Sequence, residues 1–167
     1  MSKRSFSSIE SIDYIYQKKD YYPYHCGPFA LYNLLLKNNK YIGLNKLIKL
    51  CEPEPNFGTS NIKFNNAIKK LNEQFNIEIV ETEPTIQNIK NILTLGKQII
   101  ILFHWSEHYY EGEHFALIDE MINQNEFKFV NYSFVNEIKI VKLRELKNML
   151  RYYKSNEDIC PTLWFIK

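Results

Sequence analysis

Apolar residues recur three and four apart through the first half of the chain and alternate or run unbroken through the second. Phe29, Ala30, Leu31, Leu34 and Leu35 keep a helical spacing, which predicts a buried helix from Cys26 to about Lys37, ended by Asn38-Asn39. Before it, Ser7 or Ser8 can cap a helix with Ile9, Ile12, Ile15 and Tyr16 on one face, followed by an extended aromatic stretch, Asp20-Tyr21-Tyr22-Pro23-Tyr24. Leu44, Leu47, Ile48 and Cys51 make a second amphipathic helix, stopped by Pro53 and Pro55. After a turn at Asn56-Phe57-Gly58-Thr59-Ser60, Ser60 or Asn61 can cap a third helix carrying Ile62, Phe64, Ala67, Ile68, Leu71 and Phe75. A strand is expected at residues 76–80. A fourth helix, opened by Pro84 and ended by Gly96, follows with Ile86, Ile89, Ile92 and Leu93 inward.

From there the period changes. Gln98-Ile99-Ile100-Ile101-Leu102-Phe103 is the unbroken apolar run of a buried central strand. His104 to Glu113 reads as a polar and aromatic loop, and His114 to Asp119 as the next strand. Further strands are expected at residues 127–132, 137–141 and 162–166, with a short helix at Leu143, Leu146, Met149 and Leu150. Helices in one half and hairpin-linked strands in the other predict an α+β fold with an antiparallel sheet rather than alternating βαβ units. No linker, low-complexity segment or repeat divides the chain. One domain over 1–167 is expected, with 1–12 as a loosely ordered N-terminal extension.

Composition narrows the classes. The 167 residues are 45% hydrophobic and 24% charged, the balance of a globular domain with a real core. A net charge of +2 gives no electrostatic case for nucleic acid or an anionic membrane. No apolar run is long enough to span a bilayer, and Met1-Ser2-Lys3-Arg4-Ser5-Phe6 lacks the apolar region of a secretory signal. Three widely spaced cysteines, Cys26, Cys51 and Cys160, argue against a disulfide framework and a CxxC zinc site. A cytoplasmic, reducing location is the expectation.

Cys26 stands at the predicted N-terminus of the apolar helix, with Pro28 in its first turn. Unpaired N–H groups and the helix dipole there favour a thiolate and are expected to lower the thiol pKa. A small apolar space filler is the competing reading of Cys26. A thiol nucleophile needs a histidine to carry its proton and a group to orient that histidine. His114 opens a strand behind the polar loop, and Asn131 ends the next strand, where a hairpin sets it beside His114. The Asn131 side-chain carbonyl is expected to accept the imidazole N–H, leaving the other ring nitrogen toward the thiol. His108 is a reserve for His114. Trp105, Tyr109, Tyr110 and Gly27 are the candidate substrate-binding positions, and Cys51 reads as core. His104, His108, His114, Glu107, Glu111 and Glu113 crowd one segment. Without an HExxH helix they suit a cleft lining better than a metal site, so neither metal nor cofactor is expected.

These residues carry a resemblance. Cys26-Gly27-Pro28 with Ala30 and Leu31 is similar to the nucleophile motif of the papain-like superfamily, most of all its small bacteriocin-processing, double-glycine-type peptidase domains. Gly58-Thr59-Ser60 before a helix resembles that family's middle segment. Glu113-His114-Phe115-Ala116-Leu117-Ile118 resembles its histidine strand, and Val130-Asn131 its orienting position. The order of elements is similar over nearly all of residues 13 to 167. The family usually has Asp, often followed by Pro, where this chain has Asn131-Tyr132. Its oxyanion glutamine usually precedes the cysteine by six residues, the place of Asp20 here; Gln17 serves if Tyr21-Tyr22-Pro23 is an insertion.

The resemblance implies a thiol-dependent hydrolase. Its most specific form is a cysteine peptidase with a Cys26-His114-Asn131 triad and Gln17 at the oxyanion, acting on a peptide or protein through an acyl-enzyme. Two alternatives stand beside it: an inactive papain-like binding or regulatory module, and an acyl transferase or amidase on the same residues.

Overall fold

The computed structural model describes residues 14–17, 23–107, 110–134, 136–151, 153–154 and 159–167, without the side chains of 105–107, 110–111, 153–154 and 159–160. The expected N-terminal extension, His108, Tyr109 and the side chains of Trp105, Tyr110 and Cys160 lie outside these.

The unbroken apolar run becomes the middle of a six-stranded antiparallel sheet. Its strands are β1 (Ile79–Thr82), β2 (Ile99–Glu107), β3 (Tyr110–Asn123), β4 (Glu126–Val130), β5 (Ile138–Lys142) and, last in sequence, β8 (Thr162–Ile166). The order is β1-β8-β2-β3-β4-β5. A separate small hairpin, β6 (Tyr153–Lys154) with β7 (Ile159–Cys160), was not legible as strand.

Both sheet faces are covered along the first half of β2, which is why it is apolar at every position from Ile99 to Phe103. Ile100 and Leu102 face a cluster built with α1 (Cys26–Lys37), α2 (Leu44–Cys51) and α3 (Asn61–Phe75). Ile99, Ile101 and Phe103 face a second cluster with α4 (Ile86–Thr94) and α5 (Leu143–Met149). Two neighbouring residues on opposite faces follow from the two-residue period of a strand. The helices segregate as their caps direct. Ser60 accepts from the Lys63 N–H at 3.3 Å and Thr85 from the Asn88 N–H at 3.1 Å, so each helix starts one residue after its cap. The fold is α+β with an antiparallel sheet, as expected.

Three local expectations are corrected. Residues 104–107 and 110–113 are strand, not loop: β2 and β3 stay in register from Ile99↔Ile118 out to Glu107↔Tyr110. Hairpin pairing satisfies the backbone of polar residues at a sheet rim as well as it does apolar ones. The first strand starts at Ile79, because Asn76 adopts φ 49° at the end of α3. Ile15 and Tyr16 are not helical. The Ile15 N–H and carbonyl are both taken by the Asn33 side chain, at 3.0 and 2.8 Å, so a helix's own bonds have no place there.

Candidate active site

Cys26 is the first residue of α1, with His25 as a cap that supplies no side-chain hydrogen bond to the helix. The helix buries Phe29, Ala30, Leu31, Leu34 and Leu35 and drives its N-terminus against β3. Close approach depends on Gly27. A Cβ there would lie 3.1 Å from Thr59 Cβ and 3.4 Å from the Phe64 ring. Phe64 in turn stacks on Phe115 at 4.3 Å and meets Trp164 edge-on at 4.8 Å, while the Trp164 indole N–H donates to Asn65 at 2.9 Å. The structure gives Gly27 a buried packing role against Thr59 and Phe64.

Cys26 remains partly exposed as a residue, although its thiol is enclosed. Burial pushes the thiol above its usual range. The backbone N–H groups of Phe115, Gly27 and Cys26 itself act the other way, favouring the thiolate. The expected lowering is corrected: the helix N-terminus contributes as anticipated, but desolvation is the larger effect. Phe115 is the residue after His114, so the thiol meets the histidine's strand one residue from the histidine.

His114 is buried, its ring centre 5.9 Å from that of Phe103 and nearly perpendicular to it. Its Nε2 lies 2.7 Å from the backbone carbonyl of Asn131. A carbonyl only accepts, so Nε2 carries the proton and Nδ1 is the basic nitrogen. Asn131 was expected to orient the ring through its side chain; the structure uses its main chain. The residue has φ 55°, a left-handed conformation that Asn tolerates. Its side chain faces the N-terminal segment instead. Asn131 Oδ1 accepts from the Gln17 N–H at 3.0 Å, and Nδ2 donates to the Ile15 carbonyl at 3.1 Å. Gln17 itself is buried.

Cys26, His114, Asn131 and Gln17, drawn from four separate places in the sequence, are thus joined by a short chain of contacts. Trp105 and Tyr110 pair with Gly112 and Glu107 in the β2–β3 hairpin, on the strand that carries His114 or its partner. Cys51 is fully buried in the cluster beneath α1, as core. Two features escaped the sequence reading. One is Asn33, wholly buried on α1. The other is Asp119, which accepts from the Tyr14 hydroxyl and pairs with Lys128 at 2.9 Å. Asn33 had a visible signal, since it interrupts the apolar stripe of Phe29, Ala30 and Leu34.

No protein-family model and no curated protein sequence matches the chain. Among solved structures, it is similar to the peptidase domain of Streptococcus ComA, a bi-functional ABC transporter involved in a quorum-sensing pathway. The TM-score is 0.61 at 14% identity, covering 86% of this chain and 92% of that one. Likeness at this identity establishes a shared fold, the one that the papain-like resemblance of the sequence implies. Among the described residues, no helix is long and apolar enough to cross a membrane.

Proposed function

We propose that the protein is a papain-like thiol hydrolase and, in its most specific form, a cysteine peptidase. The observation that carries this reading is a pair of contacts on consecutive residues of β3: the Phe115 N–H bears on the Cys26 thiol, and His114 is oriented by the Asn131 carbonyl at 2.7 Å. The shared fold with a peptidase domain supports it.

His114 Nδ1 takes the thiol proton as Cys26 sulfur attacks the carbonyl carbon of the scissile amide. The carbonyl π electrons move to oxygen, and the oxyanion accepts from the Cys26 N–H and the Gln17 side-chain amide. One such donor is worth on the order of 100-fold in rate. The intermediate collapses, the C–N bond breaks, and the leaving amine receives the proton from His114. Water, deprotonated by His114, then attacks the thioester; the acid product leaves and the thiol is restored. Raised by burial, the thiol rests protonated, so His114 acts at the moment of attack.

Incubation with a mixed peptide library, read by mass spectrometry, tests this reading. New peptide termini are expected with wild type and none with Cys26→Ala or His114→Ala. Amine-linked acyl products instead would favour the transferase on the same residues. Tight peptide capture without cleavage would favour a binding module.

A further inference from the structure

The stretch 14–17 has no regular secondary structure, yet it is tied at four points. The Tyr14 hydroxyl donates to Asp119. The Ile15 N–H donates to Asn33 Oδ1 at 3.0 Å. The Ile15 carbonyl accepts from Asn33 Nδ2 at 2.8 Å and from Asn131 Nδ2 at 3.1 Å. The Gln17 N–H donates to Asn131 Oδ1 at 3.0 Å. One carbonyl therefore joins a side chain of the cysteine's helix to a side chain of the residue that orients the histidine.

The direction of the strap follows from its ends. Tyr14 is fixed at Asp119, towards the far end of β3. Gln17 is fixed at Asn131, which holds His114 five residues earlier on that strand. The strap thus runs antiparallel to β3 and delivers Gln17 to the His114 end. Asn33 lies seven residues after Cys26, two helical turns, so the two share one face of α1 about 10 Å apart. With no ladder of its own, the strap takes its height over that face from the Asn33 clasp.

We infer that Asn33 is a positioning residue for the oxyanion side of the site: its amide clasps the Ile15 backbone and thereby sets Gln17 over the N-terminus of α1. This rests on the hydrolase reading and deepens it. Asn33 touches neither the thiol nor the imidazole, so it acts on steps that build an oxyanion and not on the reactivity of the thiol.

Two small probes separate those steps. Alkylation of Cys26 by iodoacetamide passes through no oxyanion, whereas acylation by p-nitrophenyl acetate does. Asn33→Ala is expected to lower p-nitrophenyl acetate hydrolysis about tenfold, and Gln17→Ala on the order of 100-fold. Alkylation in both variants stays within about twofold of wild type. The double variant Asn33→Ala/Gln17→Ala is no slower than Gln17→Ala alone, because residues acting through one another are not additive. Asn33→Asp, which keeps the acceptor for the Ile15 N–H, serves if the alanine variant does not fold, and its hydrolysis falls while alkylation holds. Losses that multiply, or alkylation falling in step with hydrolysis, would overturn the inference. So would unchanged hydrolysis in a protein whose alkylation depends on His114. Wild-type alkylation indifferent to His114→Ala would overturn the hydrolase reading first, and this one with it.

Discussion

Two thiols lie in the same helical layer, one at the start of α1 and one at the end of α2, and they differ in what surrounds them. Cys51 has 0% exposure and sits among apolar side chains; burial pushes its pKa far up, and the neighbouring Cys26 adds to the shift. Cys26 is pushed up by burial as well, but three backbone N–H groups converge on it, and His114 lies one residue from the nearest strand contact. Burial is common to both. What sets Cys26 apart is the convergence of backbone donors and its contact with the strand that carries His114, the surroundings that the proposed nucleophile needs and a core filler does not.

The largest effect that would break this contrast is on turnover. Cys26→Ala is expected to lower p-nitrophenyl acetate hydrolysis by on the order of 1,000-fold or more, and Cys51→Ala by less than about threefold. Equal losses would mean that both thiols serve the fold alone. The contrast reverses in stability: by calorimetry or denaturant melting, Cys51→Ala costs about 1–2 kcal/mol through its cavity.

Gly27 sharpens the comparison from the packing side. A Cβ on Gly27 would lie 3.1 Å from Thr59 Cβ, tighter than ordinary contact, so the Thr59 side chain or α1 would have to shift by a few tenths of an ångström. Gly27→Ala is expected to destabilise the fold by about 1–3 kcal/mol and to slow Cys26 chemistry by moving its helix off β3. A fully stable, fully active Gly27→Ala variant would show that the close approach is dispensable.

The smallest effect is a slope. Cys26, Cys51 and Tyr14 all have folded pKa values raised by burial, Tyr14 with help from Asp119. Their protons stay on in the folded state and leave in the unfolded one. Their stabilisation is complete below the unfolded pKa values and is lost as pH rises above about 8.5 for the cysteines and about 10 for Tyr14, at up to ~1.4 kcal/mol per pH unit for each full proton. Cys51→Ala is expected to flatten the fall in melting temperature between pH 8.5 and 10.

How much of this was legible follows the range of the forces. Cys26–Lys37 was bounded correctly because its apolar spacing, Pro28 and Asn38 are local signals. The segment at Ile15 was misread as helix because its partners, Asn33 and Asn131, lie 18 and 116 residues away. Asn131 was expected to meet His114 through its side chain, and the contact is made by its main chain instead. Its φ of 55° turns the main-chain carbonyl to His114, and no periodicity encodes that choice. The loop expected at 104–113 failed for a related reason: polarity was taken for irregularity, whereas the register with β3 carries the strand through it.

The most direct test of the central claim is the pH midpoint of Cys26 alkylation by iodoacetamide, resolved from Cys51 and Cys160 by peptide mass spectrometry, in wild type and His114→Ala. Burial holds the thiol above its ordinary range, and a proton acceptor beside it works against that burial together with the backbone N–H groups. A midpoint that rises in His114→Ala relative to wild type is the expected result. The same midpoint in both would contradict the Cys26–His114 pair and leave Cys26 as buried a bystander as Cys51.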